Sequence, residues 1–119
     1  RDRLRSRGLG DVYKRQVLME RAIINVLSNA VDHSPTHGEI IFNVTKDKGK
    51  CKISIIDSGP GFTPAALKYG LERFFMDDKS RNYQHHYGMG LYITNSIVTQ
   101  HGGKVELKNK RGAEVDIII

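Results

Sequence analysis

The sequence predicts an α/β chain of the α+β kind, a two-layer sandwich in which a mixed, mainly antiparallel sheet packs on three helices. Three observations point there. Two long stretches place apolar residues at three- and four-residue steps, as a helix with one buried face requires. Two pairs of shorter stretches alternate with a period of two, as half-buried strands do. Their order along the 119 residues is helix, two strands, helix, loop, helix, two strands, which suits two packed layers around one core.

Val17–His33 is the first helix. Met19, Ile23, Val26, Leu27 and Ala30 recur at helical steps, and Leu18, Ala22, Ile24 and Val31 broaden the apolar surface. Arg21, Asn25, Asn29 and Asp32 form a narrow polar stripe. Ser34-Pro35 ends the helix, because the residue before a proline avoids helical ψ.

Glu39–Thr45 and Lys50–Asp57 are strands joined by a turn at Lys46–Gly49. Ile40, Phe42 and Val44 share one face of the first; Cys51, Ile53 and Ile55 share one face of the second. Asp57 falls in phase with that second set, so its carboxylate turns toward the apolar layer. A buried carboxylate needs a partner, and the phase is the first sign of a pocket.

Thr63-Pro64 reads as an N-cap followed by an N1 proline, opening a short helix through Ala65–Tyr69. Met76–Tyr87 is polar and without pattern, and reads as a loop. Leu91–His101 is the third helix, with Ile93, Ile97 and Val98 inward, and Gly102-Gly103 ends it. Lys104–Lys108 and Glu114–Ile119 make a closing hairpin.

A chain this short forms one small domain, and no stretch approaches the roughly 20 apolar residues of a membrane-spanning helix. The single cysteine, Cys51, excludes an internal disulfide. The net charge of +6 would ordinarily raise nucleic-acid binding. Its distribution argues against that. Residues 1–16 hold six Lys/Arg against two Asp, whereas residues 17–119 hold 13 against 11. Residues 6–16 resemble the one-frame translation of a transposase adaptor used in preparing sequencing libraries. Residues 1–16 are therefore expected to be a non-native, disordered leader, to be set aside in reasoning about the fold. Residues 17–119 are expected to be the native domain, shortened at its N-terminus.

Four blocks carry chemistry together: Asn25-Val-Leu-Ser-Asn29-Ala-Val-Asp-His33, Asp57-Ser-Gly59-Pro-Gly61, Glu72-Arg73-Phe74-Phe75, and Gly88-Met89-Gly90-Leu91. In this order they resemble the histidine-kinase ATP-binding domain of two-component sensors, within the superfamily shared with gyrase B, MutL and heat-shock chaperone ATPases. The resemblance runs over essentially all of residues 17–119.

It implies ATP and Mg²⁺ as ligands. Asn29 would ligate the metal through its amide oxygen, with Asn25 helping to hold metal and phosphates, and hard oxygen ligands are what Mg²⁺ requires. His33 would lie near the nucleotide. Asp57 would accept a hydrogen bond from the exocyclic amine of adenine, and Gly59 and Gly61 would let backbone approach closely. Lys79 and Arg81, in a lid over the nucleotide hinged at the Glu72–Phe75 block, could meet phosphate. Gly88, Met89, Gly90 and Leu91 would meet phosphate at the start of the third helix, where free N–H groups and the helix dipole favour an anion.

Two departures refine the resemblance. Hydrolytic members carry Glu at the position of Asn25, and an amide cannot accept a proton at neutral pH, so phosphoryl transfer to a protein is expected over free hydrolysis. Asp32 stands where many sensor kinases have Lys or Arg to meet phosphate, which keeps a degenerate ATP-binding module as an alternative; a superfamily ATPase is the other, disfavoured by Asn25. None of the five histidines is followed by an acidic residue, the pattern expected of a phosphoacceptor. The acceptor is thus expected on an absent dimerisation domain of the same protein. The implied partners are that domain and a response regulator, with no nucleic acid. The parent would be a homodimer, cytoplasmic in this part, with an inner-membrane anchor left open.

Overall fold

A computed structural model of the chain describes residues 2–73 and 84–119, with side chains described at Gly10 and over 12–73 and 91–119. In chain order the elements are α1 (Asp2–His33), β1 (Ile41–Asp47), β2 (Lys50–Ile56), α2 (Pro64–Tyr69), α3 (Gln84–Gln100), β3 (Lys104–Asn109) and β4 (Ala113–Ile118). The strands form one sheet in the order β1-β2-β4-β3. All three pairings are antiparallel, so these strands lack the parallel pair that a mixed sheet requires. The three helices contribute to one core against a single face of the sheet, the expected two layers.

Helix α1 turns Ala22, Val26 and Ala30 inward, with exposures of 5% or less. Two of those three are alanines, which lets α3 come close. Thr94 of α3 donates its hydroxyl proton to the Ala22 carbonyl at 2.9 Å. Ile24 and Val31 lie on the opposite side and are exposed. The helix begins at Asp2 rather than Val17, so the leader expected to be disordered is helical backbone. No proline interrupts it, and its Arg, Leu, Lys and Gln residues continue a helix readily. Val12 and Tyr13 there are exposed and make no part of the core.

The β1–β2 turn is tighter than expected. Lys48 and Gly49 both have positive φ, 52° and 78°, and Asp47 pairs with Lys50. That is the two-residue turn whose twist matches an antiparallel hairpin. Phe42 and Val44 pair with Ile55 and Ile53 on the helix side of the sheet, yet they are 46% and 56% exposed. The reason is lateral: α1 lies over β2, and among the described residues no helix packs closely on the edge strand β1.

The outer face of the sheet is polar. Asp116 is fully buried there, bracketed by the ammonium groups of Lys108 at 2.9 Å and Lys52 at 3.6 Å. Thr63 caps α2 by accepting the Ala66 N–H at 3.1 Å, with Pro64 in the first turn. Helix α3 closes through Gly102, at φ 80°. The Gly103 N–H reaches the Val98 carbonyl and the Gly102 N–H reaches that of Thr99, a left-handed glycine cap.

Candidate functional site

Strand β2 delivers Asp57 to the edge of the core, 6% exposed, as its phase in the sequence requires. Its backbone N–H donates to the Ala113 carbonyl at 2.9 Å. Its Oδ1 accepts two backbone N–H bonds, from Gly59 and from Ala113, each at 2.9 Å. Among the described residues no hydrogen bond reaches Oδ2. One carboxylate oxygen is spent on orientation, and the other is left to accept from a ligand.

The loop after Asp57 is gripped from two sides. Toward α1, the Ser58 hydroxyl donates to the Glu39 carbonyl at 2.9 Å and the Ser58 N–H reaches the Ser34 hydroxyl at 3.4 Å. A Cβ at Gly59 would lie 2.2 Å from the His33 carbonyl oxygen, so only glycine fits there. Toward the β3–β4 hairpin, a Cβ at Gly112 would lie 2.5 Å from both the carbonyl and Oδ1 of Asp57. Gly61 sits at φ 86°, a left-handed conformation suited to glycine.

Helix α1 supplies the facing wall. His33 Nδ1 lies 2.7 Å from the Asn29 carbonyl. A carbonyl can only accept, so this nitrogen carries the proton. Among the described residues, the Nδ2 atoms of Asn25 and Asn29 are buried without a hydrogen-bond partner. An unmet buried polar group costs about 1–3 kcal/mol. Two such amides one turn apart present N–H donors that a polar ligand would satisfy.

Between these walls lies a cleft lined by Asn29, Ala30 and His33 of α1, by Ile55 and Asp57, and by Phe62, Leu91 and Val115. Its cavity is about 20 Å³, room for about one water molecule. A purine entering beside Asp57 must displace part of the wall.

The structure thus brings Asn29, His33, Asp57 and Leu91 to one cleft, with Gly59 and Gly61 on its rim loop and Asn25 one helical turn from Asn29. It differs at the third helix. Helix α3 starts at Gln84 rather than Leu91, so Gly88, Met89 and Gly90 lie within helical backbone and Gly90 is not at a helix N-terminus. No proline interrupts residues 84–90, and glycine weakens a helix by only about 1 kcal/mol. Lys79 and Arg81 lie outside the described residues. Sequence reasoning passed over Asn109, Gly112 and Ala113, which hold the Asp57 loop from the closing hairpin.

Residues 14–119 match the family model for the Histidine kinase-, DNA gyrase B-, and HSP90-like ATPase. The chain belongs to this family. Among curated relatives of this ATPase-family domain, the sensor histidine kinase SpaK of Bacillus subtilis is 40% identical over 104 residues, 86% of this chain and 23% of that protein. The sensor protein KdpD of Clostridium acetobutylicum is 39% identical over 94 residues, 78% of this chain and 10% of that one. The chain spans a quarter or less of these relatives.

Among solved structures, a mycobacterial sensor histidine kinase, MprB, superposes with a TM-score of 0.74 at 31% identity, over 83% of this chain and 69% of that one. The nucleotide-free catalytic domain of the histidine kinase ThkA gives 0.74 at 23% identity, over 87% and 67%, a likeness of fold. The two-layer arrangement is therefore that of histidine kinase catalytic domains.

Among the described residues no cluster of three or more His, Cys, Asp or Glu side chains could hold a metal ion. The unpartnered atoms of Asn25 and Asn29 are N–H donors, suited to phosphate oxygens rather than to a metal; a Mg²⁺ ion would take their Oδ1 atoms, in a shell whose other oxygens come from water and phosphate. That is how Mg²⁺ accompanies a nucleotide rather than a dedicated protein cage.

Proposed function

We propose that this chain is the catalytic ATP-binding domain of a sensor histidine kinase, donating the γ-phosphoryl group of ATP to a histidine on a dimerisation domain outside this sequence. The observation that carries the reading is the division of labour within one carboxylate. Asp57 Oδ1 is tied down by two backbone donors, which aims Oδ2 at the cleft. The exocyclic amine of adenine is a donor suited to Oδ2; guanine presents a carbonyl oxygen at that position, which would be repelled.

Asn29, with Asn25, would hold Mg²⁺, which when bound would supply positive charge to the phosphates. Asn25 and Asn29 orient the phosphates without adding charge of their own. Asn25 also leaves the site without a carboxylate base where one would activate water. Catalysis on this reading is positioning and charge neutralisation. An imidazole nitrogen of the acceptor attacks the γ-phosphorus, the bond to the β–γ bridging oxygen breaks, ADP leaves, and the imidazole N–H proton passes to solvent. The phosphoryl group then moves to a response-regulator aspartate.

Residues 1–16 are, on the same reading, a leader of non-native origin. The exposure of Val12 and Tyr13 supports it, and the family match leaves residues 1–13 outside it while taking in residues 14–16. No helix among the described residues is long and apolar enough to cross a membrane. We place the domain in the cytoplasm, where ATP and response regulators are found.

The test is titration with ATP, with and without Mg²⁺. The chain should bind saturably, more tightly with Mg²⁺, and Asn29→Ala should lose the Mg²⁺ enhancement. Incubation with γ-labelled ATP should leave no stable label on the chain. A titration that never saturates, or a phosphohistidine formed on this chain, would overturn the reading.

A further inference from the structure

We propose that Asn109, at the end of β3, is a positioning residue for the nucleotide site: its side-chain amide clamps the backbone of Phe62 and so sets the loop that presents Asp57 to the purine. The proposal rests on the ATP-binding reading above.

Asn109 Oδ1 accepts the Phe62 N–H at 2.7 Å, and Asn109 Nδ2 donates to the Phe62 carbonyl at 2.9 Å. One side chain thereby satisfies both backbone groups of a residue 47 positions away. An amide side chain can do this because it carries a donor and an acceptor in one plane, as a peptide unit does. Phe62 has need of it. It follows Gly61 and precedes the Thr63 cap, so its backbone belongs to neither the sheet nor α2. Its ring is 7% exposed and forms part of the cleft wall.

Gly61 fits the same device. A Cβ there would lie 2.9 Å from Asn109 Oδ1, so the clamp as well as the left-handed backbone calls for glycine. On β4, Ala113 is the register partner of Asn109 and makes two backbone bonds to Asp57, one to its N–H and one to Oδ1. The bond from the Lys110 N–H to the Gly112 carbonyl, at 2.9 Å, holds the hairpin tip that joins the two strands. Asn109 and Ala113 are thus two prongs of one fork. Ala113 holds the loop at Asp57, and Asn109 holds it at Phe62. With the second prong gone, the Gly59–Phe62 segment loses its tie to β3, and the distance between the Phe62 wall and the Asp57 carboxylate is set less tightly.

A clamp that served only cohesion would lower stability and weaken every nucleotide alike. A positioning clamp changes discrimination. The probes are ATP and inosine triphosphate, which carries a carbonyl oxygen where adenine has its amine. Affinities for both are measured well below the melting temperature for the wild-type chain, Asn109→Ala and Asn109→Asp, together with amide hydrogen exchange at Phe62 in nucleotide-free protein. Asp keeps the acceptor for the Phe62 N–H but loses the donor, and it carries the test should the alanine variant not fold.

In Asn109→Ala the Phe62 amide should exchange faster. ATP should bind roughly 3- to 10-fold more weakly, the range for one neutral hydrogen bond, with a smaller loss for inosine triphosphate. Asn109→Asp sets a carboxylate oxygen against the Phe62 carbonyl and should lose at least as much affinity as Asn109→Ala. Faster exchange with an unchanged preference for ATP would overturn the positioning role while leaving the ATP-binding reading intact. A wild-type chain that fails to prefer ATP would overturn both.

Discussion

Thr94 and Ala22 are joined by a hydrogen bond from the Thr94 hydroxyl to the Ala22 carbonyl, across 72 residues of sequence and at a point where both are fully buried. This bond ties α3 to α1 one helical turn from Leu91, which walls the cleft. Thr94→Val keeps the shape and removes the donor. Losing one neutral buried hydrogen bond costs about 1 kcal/mol. For a domain of this size that lowers the melting temperature by roughly 4–8 °C. Thermal unfolding followed by circular dichroism checks it, and an unchanged midpoint would show that the bond contributes nothing.

Asp57→Asn keeps the outline of the side chain but replaces a charged acceptor with an amide. A hydrogen bond to a charged group is worth about 1.5–3 kcal/mol, so ATP affinity should fall roughly 10- to 150-fold. Equilibrium binding of a fluorescent ATP analogue would read the change. Equal affinity in wild type and variant would remove Asp57 from the site.

Gly112→Ala sets a methyl group 2.5 Å from both the backbone oxygen and Oδ1 of Asp57. Backbone cannot yield as a flexible side-chain tip can, so Asp57 or the hairpin must move. Overpacking of this kind typically costs 1–3 kcal/mol. Both the denaturation midpoint and ATP affinity should drop. A variant as stable as wild type would mean that the hairpin has slack the structure does not show.

Glu114 and Asp116 are neighbours on the outer face of β4 and titrate as a pair. Burial, followed by a hydrogen bond to Asp116, pushes the Glu114 carboxyl above its ordinary value. Burial also pushes Asp116 upward, but the Lys108 ammonium at 2.9 Å and the neighbouring Glu114 and Ser54 outweigh it and hold that carboxyl low. The two signs differ. A raised folded-state pKa at Glu114 favours folding below its unfolded value of 4.5, and that stability is lost as pH rises through the folded-state pKa. A lowered pKa at Asp116 favours folding above 3.8, and that stability is lost as pH falls. Glu114→Gln should therefore be more stable than wild type at pH 7, with the advantage vanishing below pH 4.5. Urea midpoints across this range would test it; a constant offset at every pH would contradict the pairing.

Much of the fold could be read before any coordinates, because its punctuation is local. The Ser34-Pro35 stop, the Thr63-Pro64 cap and the glycine pair after α3 each depend on residues within a few positions of one another. The inward turn of Asp57 followed from strand phase alone. Properties set by distant neighbours were not legible. Phe42 and Val44 alternate as a buried face should, but whether a helix covers them depends on where α1 lies across the sheet. The start of α3 at Gln84 was hidden by glycines and histidines that give no apolar period. Asn109 had no signal at all, since a lone asparagine at a strand end belongs to no pattern until Phe62 is placed beside it.

The uncovered side of β1 has a consequence for handling. Half-exposed aromatic and branched side chains beside an open row of backbone donors and acceptors form a template on which another molecule's strand can settle. Lys46, Lys48 and Lys50 crowd the tip of that hairpin, and their mutual repulsion between molecules keeps such templates apart. Salt shortens the reach of that repulsion, to about 3 Å at 1 M, while leaving the greasy contact intact. Concentrated, salty solutions are therefore where this domain will clump, and dilute, low-salt buffers are where it will stay dispersed.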